Sequence, residues 1–398
     1  MAALTGIRVL DMTQYEAGTS CTQYLAWLGA EIIKIESPNG DPGRNAGINL
    51  AGDSQYFMNY NSGKKSVVID LKNPSGRQLL LDLAKKCDIF VENYGPGVME
   101  SLNIGPDILA EINHKLIYGR IKGFGLSGPY AKYNAYDWVA QASAGSFSVT
   151  GDPLGPPQIV GPTIGDSGTG IQMALGILAA YIESERTGLG QMIEISMQEA
   201  VAIFMKTLDL LTWGKKPAQR YGTKRGRTGG GLYRCKGEGE NDYVMVFPVT
   251  LKQQDIVFTV IKKPELLADP RFSTLEDRVE NESALREIIQ EWALQHTKQE
   301  AMTLLAEAGV PASYVFDTLD LFTDPHLTER NFIVDVEHPV NGSVQLMRHP
   351  LRMPGALEPT RSPILGEHTQ EVLKDYLGLD TTQISELISR NVIKKNSD

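Results

Sequence analysis

An isolated aspartate, Asp166, lies among glycines and small residues in the stretch GPTIGDSGTG, residues 161–170. The apolar run that follows, residues 171–182, has the composition of a helix. An aspartate in this setting is typical of a helix N-cap, whose carboxylate accepts a backbone N–H. A lightly covered carboxylate among glycine N–H groups could instead act as a nucleophile in covalent catalysis. The local sequence favours the cap and leaves the nucleophile open.

A second acidic residue, Glu16, lies in the loop TQYEAGTSCTQ, residues 13–23, directly after an apolar run that predicts a buried strand. Loops at the carboxyl edge of a parallel sheet bind ligands, so Glu16 is either a functional residue or a plain polar loop residue. The loop contains one glycine, Gly18, where a nicotinamide dinucleotide site needs several. The sequence therefore disfavours a dehydrogenase.

Three further stretches could bind a ligand, and each also has a purely structural interpretation. The loop ENYGPG, residues 92–97, could hold a phosphate at a helix N-terminus or be a simple turn. The aromatic and glycine-rich connection 123–145, which contains Tyr136, is either a binding loop or a packing segment. The basic segment 224–231 resembles a phosphate-contacting loop, although a solvated linker is the simpler interpretation.

Strands and helices that must position these residues alternate along the first half of the chain. Short apolar runs predict the strands, and helical spacing predicts the helices between them. The predicted strands are 7–12, 31–37, 66–71, 88–93, 115–125 and 192–197, and the predicted helices are 20–30, 75–87, 107–113, a helix from Asp166 to Gly188, and 199–213. This alternation predicts an α/β fold with a doubly wound parallel sheet.

A glycine-rich basic break separates this half from a segment with a different pattern. We expect a large Rossmann-like domain over residues 1–213, a linker and glycine-rich loop over 214–231, and a small α+β domain over 232–325. The remaining residues, 326–398, regain strands and cross a proline-rich stretch. They are expected to return to the large domain and complete it.

Composition limits the classes of partner. The 398 residues are 42% hydrophobic and 22% charged, as in an ordinary globular protein, and the net charge is −10. This acidic balance argues against nucleic acid and against an anionic membrane as partners. The three cysteines and six histidines are scattered, so neither a metal site nor a disulfide framework is expected. The N-terminus lacks the pattern of a secretory signal and no apolar run could span a membrane, so we expect a cytoplasmic protein.

Taken together, these stretches resemble the class III CoA-transferase family, the CaiB/BaiF family that includes formyl-CoA and carnitine CoA-transferases. The resemblance extends from residue 4 to about residue 375 and follows the family order. The stretches that carry it are LTGIRVLDMT, the segment from AGTSCTQ to SPNGDPGR, NSGKKSVVIDLKNPSG, DIFVENYGPG, LIYGRIKGFGLSGPY, YDWVAQASAG, GDSGTGIQMALGILAA, RTGLGQ, DPRF and PILGEHTQEVL.

The resemblance implies an enzyme that transfers CoA from an acyl-CoA thioester to a free carboxylic acid. In that family the aspartate at the position of Asp166 attacks the thioester, and an aspartyl anhydride and then an aspartyl-CoA thioester form on it. CoA and acyl-CoA are substrates, so no permanently bound cofactor is expected. A positioned, desolvated carboxylate is a workable nucleophile, and a helix N-terminus should keep Asp166 ionised at neutral pH. The family also implies an interlocked homodimer.

The same resemblance assigns roles to residues around Asp166. It places Tyr136 near the thioester, and it implies that Gly229 and Gly230 of the TGGG stretch shield the anhydride. The implied CoA contacts are Tyr15, Asn93, Tyr94, Gly95, Lys72 and Met197. Because this chain lacks the arginines of the formyl-CoA transferases, we expect Lys34, Arg44, Lys72 or residues 224–227 to provide the cations for the CoA phosphates.

Several departures from the formyl-CoA transferase pattern bear on the substrate. Glu16 stands where those enzymes carry glutamine, and Thr19 replaces their proline. Ser37 and Ser101 stand where they carry arginines, and the glycine-rich loop is shorter and lacks their glutamine. A carboxylate that faces the nucleophile should repel a dianion such as oxalate unless it is protonated or paired with a cation. The sequence therefore disfavours formyl-CoA:oxalate exchange.

Two other functions stay open. The α-methylacyl-CoA racemases share the fold but need a histidine directly before an aspartate at the position of Tyr136 and Asp137, and no histidine lies between residues 115 and 295. A non-catalytic acyl-CoA-binding protein would keep the fold and lose the nucleophile, whereas Asp166 is present.

Overall fold

The computed structural model describes residues 1–47, 53–207, 210–224 and 228–395. The chain divides into two compact units. Unit 1 comprises residues 1–146, 160–211 and 329–398, and unit 2 comprises residues 147–159 and 212–328. Residues 147–159, which the sequence analysis placed in the large domain, therefore belong to unit 2. Residues 225–227 of the predicted basic segment lie outside the described residues.

Strands and helices are numbered along the chain. The strands are β1 (Arg8–Met12), β2 (Glu31–Glu36), β3 (Lys65–Ile69), β4 (Ile89–Glu92), β5 (Ile117–Lys122), β6 (Met192–Ser196), β7 (Gly231–Arg234), β8 (Tyr243–Val246), β9 (Ala312–Tyr314), β10 (Ile333–His338), β11 (Gly342–Met347) and β12 (Ile393–Lys394). The helices are α1 (Ala17–Trp27), α2 (Gln55–Asn61), α3 (Pro74–Ala84), α4 (Val98–Ser101), α5 (Pro106–Ile112), α6 (Asp137–Ser143), α7 (Ser167–Thr187), α8 (Met197–Ala202), α9 (Leu251–Val260), α10 (Leu275–Glu280), α11 (Glu282–Ala293), α12 (Lys298–Glu307), α13 (Asp320–Thr323), α14 (Pro325–Glu329), α15 (Thr369–Leu377) and α16 (Thr381–Ser389).

Seven of the described strands form the main sheet of unit 1, in the order β12-β3-β2-β1-β4-β5-β6. Neighbours among β1 to β6 are parallel, and β12 pairs antiparallel with β3 at the edge. The predicted α/β fold with a large parallel sheet is confirmed. The strand order reverses between β1 and β4, and doubly wound sheets bind ligands outside the carboxyl ends of their strands at such a reversal. The loops that follow β1 and β4 therefore form the expected binding crevice.

Helices α1 and α7 pack together on one face of the sheet. At Gly170 they approach so closely that a Cβ would lie 2.2 Å from Ser20 Oγ and 2.6 Å from the Ala17 carbonyl oxygen. Only glycine allows this approach. Glu16 directly precedes α1 and Asp166 directly precedes α7, so the packing of the two helices holds both acidic residues at the crevice.

The opposite face of the sheet is covered by α3 and by the C-terminal helices α15 and α16. Leu80 and Leu83 of α3 and Val372 and Leu373 of α15 are fully buried in this core. Burial of such side chains is the main stabilising contribution to the fold. Residues 329–398 therefore complete unit 1.

Unit 2 is built on a second sheet whose described strands follow the antiparallel order β7-β8-β9. Val244 and Val246 of β8 are fully buried, and they share a core with Phe258 of α9, Ala293 of α11 and Leu305 of α12. Unit 2 therefore has a hydrophobic core of its own.

The predicted helix over residues 199–213 is wrong in length. Helix α8 ends at Ala202, and a 3-10 turn, Ile203–Lys206, follows it. Residues 208 and 209 lie outside the described residues. Ile203 and Phe204 are about half exposed, and packing contributes most of the stability of a helix in a protein.

Candidate active site

A cleft of about 240 Å3 lies at the crevice of unit 1. It is lined by residues from the loops after β1 and β4 and from the starts of α6, α7 and α8. The predicted site residues among them are Tyr15, Glu16, Asn93, Tyr94, Gly95, Tyr136, Asp166 and Met197. The fold therefore brings together residues that are far apart in the sequence.

Asp166 precedes α7, but its side chain makes no cap hydrogen bond. Its backbone is helical, with φ −87° and ψ −71°, whereas a capping residue is usually extended. The turn is held from outside by Asp137, whose Oδ1 accepts the N–H groups of Gly165 at 2.7 Å and of Asp166 at 3.1 Å. The N-cap interpretation of the Asp166 side chain is therefore wrong. The side chain lines the cleft instead.

The surroundings of Asp166 raise its pKa from 3.8 to about 8. The largest cause is burial, since 9% of the residue is exposed, and the carboxylates of Glu16 and Asp137 add to it. The expectation that the helix N-terminus keeps Asp166 ionised at neutral pH is therefore wrong, because burial and two like charges outweigh the helix dipole. A carboxylate of higher basicity is the stronger nucleophile once it has lost its proton.

Glu16 is buried, with 3% of its surface exposed, and its partners are hydroxyl groups. Thr163 Oγ1 donates to Glu16 Oε1, and Ser167 Oγ donates to the same oxygen at 2.6 Å. Tyr60 Oη lies 3.4 Å from Ser167 Oγ and extends this group of hydroxyls. Among the described residues, no lysine or arginine forms an ion pair with Glu16. Two carboxylates without a cation therefore face the same cleft.

Asn93 fixes the loop that carries Glu16. Its Oδ1 accepts the backbone N–H of Gln14 at 2.9 Å, and its Nδ2 donates to the Gln14 carbonyl at 2.8 Å. Tyr15 has a φ of 56°, a conformation that is uncommon outside glycine, and its N–H donates to Asp41 Oδ1 at 3.2 Å. These hydrogen bonds hold the strained backbone on both sides. The CoA contacts of Asn93 and Tyr15 stay predictions.

Lys34 and Arg44 do not offer their charges to a phosphate, which corrects the sequence analysis. Lys34 is fully buried, lies 2.7 Å from an Asp41 oxygen and donates to the Thr13 carbonyl at 2.8 Å. Arg44 is buried and donates twice to Glu36, at 2.6 and 2.7 Å. Both cations neutralise buried carboxylates, because an unpaired buried charge is costly. Lys34 thereby supports the loop after β1, and Arg44 supports the segment that follows β2.

Lys72 lines a second cavity of unit 1, of about 490 Å3, at the carboxyl ends of β1, β2 and β3. Ser37 and Ser101, the residues that depart from the formyl-CoA transferase pattern, line the same cavity. Tyr94 lines both this cavity and the cleft. The two spaces are therefore neighbours, with Tyr94 between them.

Tyr136, Met197 and Gly95 form other parts of the cleft wall. Tyr136 is largely exposed, and its ring meets that of Tyr15 edge to face with the centres 5.8 Å apart. Met197 is buried. A Cβ on Gly95 would meet the side chain of Asn134 at 3.4 Å, an ordinary contact distance.

Gly229 and Gly230 lie in unit 2. The Gly229 carbonyl accepts the hydroxyl of Tyr233, and the Gly230 carbonyl accepts Arg286 Nη1 at 2.9 Å. A Cβ on Gly229 would lie 3.0 Å from Ile289, and its φ of 78° also favours glycine. That Gly229 and Gly230 shield the anhydride stays a prediction.

The sequence analysis missed the roles of Asp137 and Lys122. Asp137 holds the turn of Asp166, and the only sequence signal for it is its position directly after Tyr136. Lys122 is buried at the end of β5, where its Nζ donates to Glu92 at 2.8 Å and to the Tyr94 carbonyl at 2.5 Å. A lysine at the end of an apolar strand could have indicated this role. Both residues position the loops of the cleft.

The described ranges, 1–47, 53–207, 210–224 and 228–395, contain no group of three or more His, Cys, Asp or Glu side chains placed to hold a metal ion. Within the same ranges, no helix has the length and apolar character needed to cross a bilayer.

The fold and the cleft define a class, an α/β protein with a carboxylate pair at the reversal of its sheet. The model of CoA-transferase family III matches residues 4–369 of the chain. A formyl-CoA:oxalate CoA-transferase of Streptomyces coelicolor is 37% identical, over 98% of this chain and 99% of the relative. A protein of the same name from a strain of Rhodopseudomonas palustris is 35% identical, over 97% of this chain and 96% of the relative.

The crystal structure of a CaiB/BaiF family protein from Brucella suis has the same fold, with a TM-score of 0.84 and 30% sequence identity. The match covers 94% of this chain and 99% of the Brucella suis protein. The chain therefore belongs to CoA-transferase family III, the CaiB/BaiF family, and it is a CoA-transferase whose substrates are CoA thioesters. The resemblance stated from the sequence is confirmed.

Proposed function

We propose that this protein moves CoA from an acyl-CoA to a free carboxylic acid by covalent catalysis on Asp166. The observation that carries the proposal is the Asp166 carboxylate itself, which makes no cap hydrogen bond and lines the cleft. The formyl-CoA:oxalate CoA-transferases that resemble this chain support CoA transfer as the reaction, and their name gives formyl-CoA and oxalate as their own substrates.

The first half of the reaction forms a covalent intermediate. An oxygen of the ionised Asp166 carboxylate attacks the thioester carbon of the acyl-CoA, the C–S bond breaks, and CoA leaves as a thiolate that keeps the electron pair. The thiolate then attacks the carbonyl carbon that belongs to Asp166 in the mixed anhydride. The first acid departs as a carboxylate, and an aspartyl-CoA thioester remains.

The second half reverses these steps with a new acid. The acceptor carboxylate attacks the aspartyl thioester carbon and releases the thiolate, which then attacks the acyl carbon of the acceptor. The new acyl-CoA leaves and the Asp166 carboxylate is restored. Each step exchanges one carboxylate or thiolate for another, so the only proton that must move is the one that Asp166 loses at the start.

The two cavities of unit 1 suggest where CoA lies. We place its nucleotide in the 490 Å3 cavity, where Lys72 offers a cation and Ser37 and Ser101 offer hydroxyls. The thioester arm then passes Tyr94, which lines both spaces, and reaches Asp166 in the cleft. Tyr136 lies at the exposed side of the cleft, in a position to cover the thioester.

We also propose that the protein is a homodimer. Helix α7 carries Ile171, Leu175 and Ile182 on one side, each of them about half exposed or more, and Met192 of the sheet edge is similarly exposed. Residues at this spacing share a helix face, and an apolar face of this kind needs a partner. Light scattering should give twice the mass of one chain, and Leu175→Glu should shift the protein towards the monomer. A monomeric wild-type protein at micromolar concentration would contradict the dimer.

Oxygen-18 tests the covalent route. The protein is mixed with an acyl-CoA and an acceptor acid labelled with oxygen-18 in its carboxylate, quenched after one turnover and digested. If the anhydride forms, one labelled oxygen stays on Asp166 when the thiolate takes the acceptor acyl group. Direct transfer without a covalent intermediate leaves the Asp166 peptide unlabelled while acyl-CoA is still formed.

Incubation of the protein with acyl-CoA and an acceptor acid in deuterated water separates the two alternatives. A racemase would exchange the α-hydrogen of a branched acyl-CoA with solvent deuterium and transfer no CoA, and no histidine is found among the described residues that line the cleft. A binding protein would retain acyl-CoA and produce neither exchange nor transfer.

A further inference from the structure

We infer that both exchanging acids are monocarboxylates with an apolar body, and that Glu16 and the aromatic wall of the cleft select them. This inference rests on the proposed function, because it concerns the acids that react at Asp166. Both acids must occupy the same space in turn, so one set of lining residues decides for donor and acceptor alike.

Charge is the first argument. Glu16 is buried beside Asp166, and the hydroxyls of Thr163 and Ser167 donate to its Oε1. An acid that reacts through one carboxylate and carries a second would bring that second charge against Glu16. At a separation of several ångströms this repulsion weakens binding by a factor on the order of 100.

The cleft offers no cation to offset this repulsion. Lys122 is the one lysine or arginine among the described residues that line it. Its ammonium group is buried and already donates to Glu92 and to the Tyr94 carbonyl. A second carboxylate would therefore lose its hydration without gaining a partner, which is costly.

Aromatic rings provide the second, independent argument. Tyr133, Tyr136 and Tyr15 line the cleft, with Met197 on the inner side. Tyr133 also stacks on Tyr130, with ring centres 5.5 Å apart, so it belongs to a larger aromatic group at the cleft. Such a wall binds the apolar body of a ligand by burial of surface, and it gives nothing to a small dianion.

A competition assay tests the inference. Wild-type protein receives one acyl-CoA with equal concentrations of oxalate, acetate, butyrate and 3-phenylpropionate, and the new acyl-CoAs are quantified by mass spectrometry. We expect 3-phenylpropionate or butyrate to give the highest kcat/KM and oxalate the lowest. Oxalate as the best acceptor overturns the inference.

Variants assign the selectivity to residues. Glu16→Gln should raise kcat/KM for oxalate at least about tenfold relative to acetate, while the matched control Glu185→Gln, an exposed glutamate of α7, leaves the ratio unchanged. Tyr133→Ala should lower kcat/KM for 3-phenylpropionate roughly tenfold relative to acetate. Unchanged ratios in both variants contradict the assignment, and the wild-type acid ranking decides the inference if either variant fails to fold.

The oxygen-18 experiment keeps the two proposals apart. If no acid in the panel labels Asp166, the covalent route fails. If oxalate labels Asp166 and has the highest kcat/KM, the covalent route stands and only the inference about the substrate is overturned.

Discussion

Two groups of buried acidic residues lie at the carboxyl edge of the same sheet, and their surroundings are opposite. In the ion-paired cluster, Asp11, Glu36 and Asp41 contact the cations Lys64, Arg44 and Lys34. In the cation-free cluster, Glu16, Asp137 and Asp166, the described partners are hydroxyls, backbone N–H groups and one amide. Both clusters are almost completely buried.

The pKa values respond accordingly. Burial alone would raise the pKa of Asp11 and of Glu36, but Lys64 and Lys34 around Asp11, and Arg44 beside Glu36, outweigh burial and lower both values. For Asp166 burial acts together with two like charges, and the pKa rises to about 8. The same side-chain chemistry therefore stabilises the loops in one cluster and provides a reactive group in the other.

The largest expected effect comes from removing the nucleophile. Asp166→Asn should lower CoA transfer by a factor on the order of 1,000 or more, because the amide cannot form the anhydride. The exposed Asp375 provides the control Asp375→Asn, which should transfer CoA at the wild-type rate. An Asp166→Asn protein with more than a tenth of wild-type activity, measured with the same acyl-CoA, would contradict the proposed route.

The same substitution should stabilise the protein at high pH. A carboxyl group with a folded pKa near 8 and an ordinary value of 3.8 holds its proton better in the folded state, so stability falls as pH rises from about 4 to 8. Asp166→Asn removes this loss. Its melting temperature should exceed that of wild type by roughly 2 °C or more at pH 8 and by less at pH 5. Equal differences at both pH values would contradict the raised pKa.

Loss of the Asp137 carboxylate should have the next largest effect. Asp137→Ala frees the N–H groups of Gly165 and Asp166, so the nucleophile shifts, and kcat should fall by about 100-fold with little change in KM for acyl-CoA. Asp137→Asn retains an accepting oxygen and should recover much of the rate. A higher KM with an unchanged kcat would contradict a positioning role. An equal fall in kcat in both variants would also contradict it.

Glu16 should affect the pH dependence more than the maximal rate. Only ionised Asp166 attacks, so the rate of CoA release in the first half of the reaction should rise with pH and level off near pH 8. The pH at which the rate levels off is the break of the profile. Glu16→Gln removes a like charge beside Asp166 and should move this break to lower pH. An unchanged break, compared with Glu185→Gln as a control, would show that the two carboxylates do not interact.

The ion-paired cluster should give the smallest effect on turnover. Lys34→Met leaves Asp41 buried without its cation, which should cost about 3 kcal/mol in the free energy of unfolding. Turnover per folded molecule below the melting transition should change by less than about threefold, because Lys34 does not line the cleft. A large loss of turnover in fully folded protein would indicate that Lys34 contacts the substrate after all.

Sequence alone predicted the parallel sheet, since its strands are apolar runs separated by helical spacing. It also placed Glu16 at the ligand-binding edge, because Glu16 directly follows a predicted strand, and it placed Asp166 at the start of a helix. It could not predict that Asp137, nearly thirty residues away, would hold the turn of Asp166. Nor could it predict that Lys34 is buried beneath the loop after β1. Whether a lysine is buried in an ion pair or free to bind a phosphate depends on tertiary packing, which the local sequence does not show.

The most direct test of the account is to trap the intermediate on Asp166. The protein is incubated with an acyl-CoA and no acceptor acid, treated with hydroxylamine and digested, and the peptides are analysed by mass spectrometry. The account predicts a hydroxamate on Asp166, formed only when acyl-CoA is present and absent from Asp166→Asn. An unmodified Asp166 in protein that turns over the same acyl-CoA would contradict it.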